Sequence, residues 1–178
     1  MAVIERSLPY LNHYPAEIVQ QVSRLLDQRL LGERLRRRYP SLHQVGNDGA
    51  LREYLLQLKQ QHMKKAGVVN KVQYDTRLHV IHNALGTHSY VQRRQGAKVK
   101  THNEIRIAAL FKRAPEPLLR MICVHELAHL KHKQHDKGFY QLCLHMLPDY
   151  HQLEFDTRLW LTEKEVHGDP FESSQRRE

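Results

Sequence analysis

His125, Glu126 and His129, with His135 six residues further on, are the residues of this chain best suited to chemistry. Four residues advance an α-helix by about 6 Å and about 40° around its axis, so His125 and His129 stand one above the other on a single stripe. Imidazoles so placed can meet on one divalent cation, with metal–nitrogen bonds of about 2.0–2.1 Å. Glu126 falls on the flank of that stripe, about 60° from His129. It is near enough to work on a water carried by the metal and turned away from ligation. Such a set is equipped for hydrolysis: the cation acidifies a water and the carboxylate takes its proton.

The third ligand needs a turn. His132 continues the stripe, but at about 10.5 Å along the axis from His125 its ring overshoots an ion held by the first two. His135 lies on the wrong side of a straight helix and reaches the ion only if the helix stops near Lys131–His132 and the chain doubles back. The spacing His125…His129…His135 equals that of the H-E-x-x-H-x-x-G-x-x-H zinc-peptidase pattern, in which a glycine makes the turn. Here that position holds His132, a residue type enriched among non-glycine left-handed conformers. The sequence therefore predicts His125, His129 and His135 as ligands of one Zn²⁺ and Glu126 as general base. The competing reading, incidental histidines on a helix, carries weight in a chain of 14 histidines. His79, His82, His88 and His102 show no comparable spacing and read as ordinary side chains.

Elements must position these residues. Pro15 opens a helix with Ile18, Val22, Leu25 and Leu26 on one face, which Gly32 kinks or ends before an Arg-rich turn at Arg36–Arg38. A second helix carries Leu51, Tyr54, Leu55 and Leu58 and ends near Gly67. The period then changes, and Lys71–Tyr74, Arg77–His82, Ser89–Arg93 and Glu104–Ala109 read as short strands. Pro115 and Pro117 open the helix that runs through the histidine motif to about Lys131. Asp136 is placed to cap a helix through Leu147, and Pro148–Asp149 separate it from a last helix with Leu153, Phe155, Leu159 and Trp160. The layout predicts an α+β domain. Residues 1–14 form a lead-in and 15–167 one domain: a helical part over 15–67, a small sheet over 71–110, and the active-site and C-terminal helices over 115–167. A polar tail, 168–178, follows.

The bulk numbers suit such a domain. In 178 residues, 40% are hydrophobic and 26% charged, which supports a soluble core. The net charge of +9, from 28 Lys+Arg against 19 Asp+Glu, favours anionic partners. No stretch is apolar and long enough to cross a bilayer and no secretory signal is visible, so a cytoplasmic protein with no membrane partner is expected. Cys123 and Cys143 form no C-x-x-C pair and read as buried thiols in a reducing compartment.

The run His125-Glu-Leu-Ala-His-Leu-Lys-His-Lys-Gln-His135-Asp-Lys-Gly-Phe-Tyr140-Gln-Leu-Cys143 resembles the YgjP family of the broader SprT-like, DUF45, M48-like metallopeptidase-type group. Asn83–His88, Gln95-Gly96 with Lys98 and Lys100, Glu104–Ile107, Met146–Trp160, Leu30–Gly32 and Arg38–Pro40 agree with it, so the resemblance spans about Tyr10 to Thr162. It implies ligands at His125, His129 and His135, the acid/base at Glu126, and a zincin-like core with a small, mainly antiparallel sheet packed on the active-site helix. Two activities follow. The first reading is a zinc metallopeptidase that hydrolyses peptide bonds, with Glu104–Ala109 as an edge strand that pairs with an extended peptide. The other is a UTP pyrophosphatase, a label carried by a member of the family. In that case Arg93, Arg94, Lys98, Lys100 and Lys133 hold the triphosphate and Mg²⁺ is a further cofactor candidate. A nucleic-acid-associated module is a third reading, suited to the positive charge. Oligomeric state is not legible.

Overall fold

The computed structural model describes residues 7–78, 86–95 and 98–172, with side chains described for 7–78 and 102–172. Among these it holds six α-helices and a three-stranded sheet, an α+β arrangement. Pro15 precedes α1 (Ala16–Asp27), which buries Val22 and Leu26. The helix closes at Arg29, whose φ of 56° is left-handed. The Leu30 N–H donates to Leu25 O at 2.8 Å and the Arg29 N–H to Leu26 O at 2.9 Å, the paired bonds of a Schellman motif. Gly32 is therefore not the terminator. It lies inside α2 (Leu31–Arg38), where an added Cβ would stand 2.7 Å from Glu163 Oε1. The Arg36–Arg38 segment, expected as a turn, is the last turn of this helix. Leu31 and Leu35, four apart, are buried and explain why it forms.

Asn47 caps α3 (Asp48–His62) by accepting from the Ala50 N–H at 2.9 Å, and Leu51, Leu55 and Leu58 face inward. The helix stops at His62, earlier than expected, because Met63 leaves helical geometry at φ −137° and is itself buried.

The strands are β1 (Lys71–Asp75), β2 (Gly86–Gln95) and β3 (Lys98–Ala108). Their order is β1-β3-β2. β2 and β3 pair antiparallel, from Gly86↔Ile107 to Gln95↔Lys98. β1 pairs parallel to β3, with Val72 opposite Ile105 and Tyr74 opposite Ile107. The expectation of a mainly antiparallel sheet is thus corrected: the sheet is mixed, and the strand joined to β3 from a distance runs parallel. Alternating burial looks the same in either direction, so the strand sequences could not reveal it. β3 is also central, not an edge, so its backbone is engaged on both sides. The segment expected as a strand at Arg77–His82 begins in a turn at Thr76–Arg77, and its remainder lies outside the described residues.

α4 (Glu116–Ala128) is the axis of the molecule. It packs on α3, α5, α6, β2 and β3. Leu118, Leu119, Met121, Ile122, Cys123, Val124, Leu127 and Ala128 are all buried, so most of its surface is apolar and packed, with Glu116 and Arg120 paired on an outer side of its first turns. Asp136 caps α5 (Lys137–Met146), its Oδ1 accepting from the Phe139 N–H at 2.8 Å. α6 (Tyr150–His167) runs beside α4 and carries buried Tyr150, Leu153 and Trp160. Past its end, Phe171 is buried against Trp160, and the Trp160 Nε1–H donates to Asp169 at 3.0 Å. No helix among the described residues is long and apolar enough to cross a membrane.

Candidate metal centre

The last turn of α4 presents His125, and His129 stands at its C-cap. Leu130, Lys131 and His132 then donate their N–H groups to the carbonyls of Leu127, Ala128 and Ala128, at 3.0, 3.1 and 3.0 Å, which tightens the helix end before the chain turns back. His132 needs no left-handed backbone to do this, since Arg29 is the non-glycine residue with positive φ among those described. Its ring folds instead against Gly138, where an added Cβ would lie 2.6 Å from His132 Cε1. The small residue that gives the His132 ring its place is therefore across from it, at the start of α5.

The return of the chain places His135 Nε2 3.1 Å from His125 Nε2 and 3.2 Å from His129 Nε2. Two nitrogens bound tetrahedrally at about 2.0–2.1 Å stand about 3.3 Å apart, so the three imidazoles are gathered at metal-binding separation. Phe139, fully buried, packs its ring 4.9, 4.7 and 4.8 Å from the rings of His125, His129 and His135 and so holds all three.

The far side of each α4 ring is also tied. His129 Nδ1 lies 2.9 Å from His132 O. A carbonyl only accepts, so Nδ1 carries the proton and Nε2 of the neutral ring is a lone pair. His125 Nδ1 lies 2.6 Å from the Tyr150 hydroxyl. Burial first, then the neighbouring His129 and His135, hold the His125 imidazole down at about 3, so it is neutral. Burial pushes the Tyr150 hydroxyl well above its usual range and keeps it protonated.

Glu126 is buried, and both its carboxylate oxygens lack a hydrogen-bond partner among the described residues. Burial pushes its carboxyl up to about 8. Two carboxyl oxygens buried without partners are costly to ionise on their own, and a cation with its water would offset that cost. On this chemistry the residues fit a divalent ion, and three imidazoles favour a borderline-soft metal over one that prefers oxygen.

Of the expected substrate groups, Lys133 is exposed on the loop between His129 and His135. The side chains of Arg93, Arg94, Lys98 and Lys100 lie outside the described ones. Their backbones pair near the turn end of the β2–β3 hairpin, with Arg93 opposite Lys100. Sequence reasoning assigned no role to Phe139 or Tyr150. Phe139 follows His135 by one helical turn, a spacing that could have signalled contact. Tyr150, 25 residues from His125, gives no local signal.

Residues 36–158 match the family described as YgjP-like, metallopeptidase domain. A protein of Escherichia coli (strain K12) named UTP pyrophosphatase is 55% identical over 157 residues, which covers 88% of this chain and 94% of the relative. No solved structure gives a significant match. The histidine cluster lies within the matched span, and the chain belongs to the YgjP-like metallopeptidase-domain family as a metal-dependent hydrolase.

Proposed function

We propose that the chain is a zinc-dependent nucleoside-triphosphate pyrophosphohydrolase acting on UTP, built as a zincin-like core within one domain over 15–167. The observation that carries the hydrolase chemistry is the convergence of three Nε2 atoms, with a buried, unpartnered Glu126 next in sequence to the first of those histidines. The substrate comes from the 55% identical relative and its name. The interior position of β3 supports that choice, because it removes the strand expected to pair with a peptide. The two free, buried thiols suit a cytoplasmic setting.

His125, His129 and His135 would hold the zinc, which supplies Lewis acidity and lowers the pKa of a water towards about 7. Three nitrogen donors are the reason to prefer zinc to Mg²⁺ at this position. Glu126 takes one proton from the attacking water and later gives it to the departing oxygen. The water oxygen bonds to the α-phosphorus, the bond from that phosphorus to the bridging oxygen breaks, and UMP and pyrophosphate result. Lys133, with Arg93, Arg94, Lys98 and Lys100 from the hairpin, neutralises the phosphates.

Peptide hydrolysis is the second reading, favoured by the family's description and by β2, which pairs on one side only among the described residues. Parallel assays on UTP and on casein-like peptides separate the two. Pyrophosphate release that needs zinc and is lost in Glu126→Gln supports the first. Peptide cleavage without pyrophosphate release supports the second and overturns the first.

A further inference from the structure

We propose that Tyr150 is a positioning residue for the metal centre, fixing His125 in the tautomer that leaves Nε2 free, with the Cys143 thiol as the outer member of the same chain of hydrogen bonds. The inference rests on the reading of His125, His129 and His135 as ligands. It concerns residues given no role above, in the Met146–Trp160 segment whose sequence resembles the family without a chemical reason being evident.

The two ligands on α4 are oriented by unlike partners. His129 Nδ1 faces a backbone carbonyl, which admits one tautomer. His125 Nδ1 faces a hydroxyl, which can donate or accept. A hydroxyl that donates to Nδ1 would put the ring proton on Nε2, where the ion must bind. A second acceptor for the hydroxyl proton settles the direction. The Cys143 thiol, buried on α5, is near enough for the Tyr150 hydroxyl to draw its ionisation down against the push of burial, as a donor to sulfur does. With the hydroxyl proton directed to Cys143 Sγ, the Tyr150 oxygen is left to accept from His125 Nδ1–H. Tyr150 is fully buried and its ring lies nearly parallel to that of His125, at 18° and 6.3 Å, so water does not readily replace it. The partners of metal-binding histidines are commonly carboxylates or carbonyls, and their loss typically costs about 10–100-fold in metal affinity. A neutral hydroxyl needs its own acceptor to do the same work.

The test uses the full chain, Tyr150→Phe, Cys143→Ala and Cys143→Ser, with zinc itself as the probe. Zinc affinity is read by competition with a chromophoric chelator, and histidine tautomers by ¹⁵N NMR of the metal-free proteins. In Tyr150→Phe, affinity falls about 10–100-fold and His125 gains an Nε2–H population, while His129 keeps its tautomer. Cys143→Ala moves His125 the same way by a smaller amount, and Cys143→Ser, which restores an acceptor, returns it. A merely structural role for Tyr150 would not move one tautomer and spare the other. Unchanged affinity and an unchanged His125 tautomer in Tyr150→Phe overturn the proposal. Should that variant not fold, an unchanged tautomer in Cys143→Ala does so. Failure of the wild type to bind zinc would instead remove the metal reading, and the metal-free NMR comparison would still decide the role of Tyr150.

Discussion

Replacing Glu126 by Gln should make the metal-free protein more resistant to alkaline conditions. The carboxyl is buried without a partner and is carried from an ordinary value of 4.5 to about 8 by desolvation. Between these values the folded state holds a proton that the unfolded state has released, so stability falls as pH rises. The favourable contribution is complete below about pH 4.5 and gone once pH passes about 8. At 1.36 kcal/mol per pKa unit, the full span amounts to roughly 5 kcal/mol, of which about 3 is lost by pH 7. Gln fills similar space and does not titrate. Urea unfolding of both proteins in chelator at pH 5, 7 and 9 gives the comparison. His125 is common to both, so its own pH dependence cancels. The wild type should lose stability relative to the variant by several kcal/mol from pH 5 to pH 9, and saturating zinc should reverse much of that loss. A difference that stays flat with pH would show that Glu126 is solvated or paired, and the argument from its orphaned oxygens would fail.

Other perturbations separate ligation from folding. His135 is exposed, so His135→Ala should change metal-free stability by no more than about 0.5 kcal/mol in chemical unfolding yet weaken zinc binding more than about 100-fold. Gly138→Ala should cost about 1 kcal/mol, because the new Cβ meets the His132 ring at 2.6 Å. Adding His132→Ala should recover that loss, and a double-mutant cycle showing no coupling would reject the contact. Asp136→Ala removes the cap of α5 and should cost about 1 kcal/mol by thermal unfolding, with weaker zinc binding because Phe139, which packs on all three imidazoles, sits in the first turn.

The histidine stripe was legible because its information is local. The i, i+4 spacing of His125 and His129, the prolines before α4 and the Asp136 cap all act within a turn or two of the residues they govern. The return of His135 was legible as a requirement but not as a mechanism, since the space for His132 comes from Gly138. What was not legible is non-local. The parallel pairing of β1 joins Lys71 to Glu104, more than thirty residues apart, and put β3 in the middle of the sheet. Gly32 was read as a helix breaker because glycine commonly ends helices, whereas it lies inside α2 with the Glu163 carboxylate of α6 packed close over it. The left-handed C′ residue that ends α1 is an arginine, which no propensity marks. Tyr150 reaches the site through tertiary packing alone.

The most direct measurement is anomalous X-ray diffraction across the zinc absorption edge from crystals grown with one equivalent of zinc. The account predicts one strong peak per chain, about 2.0–2.1 Å from Nε2 of His125, His129 and His135 together. A peak bound elsewhere, or no peak while the three rings remain in place, would contradict it.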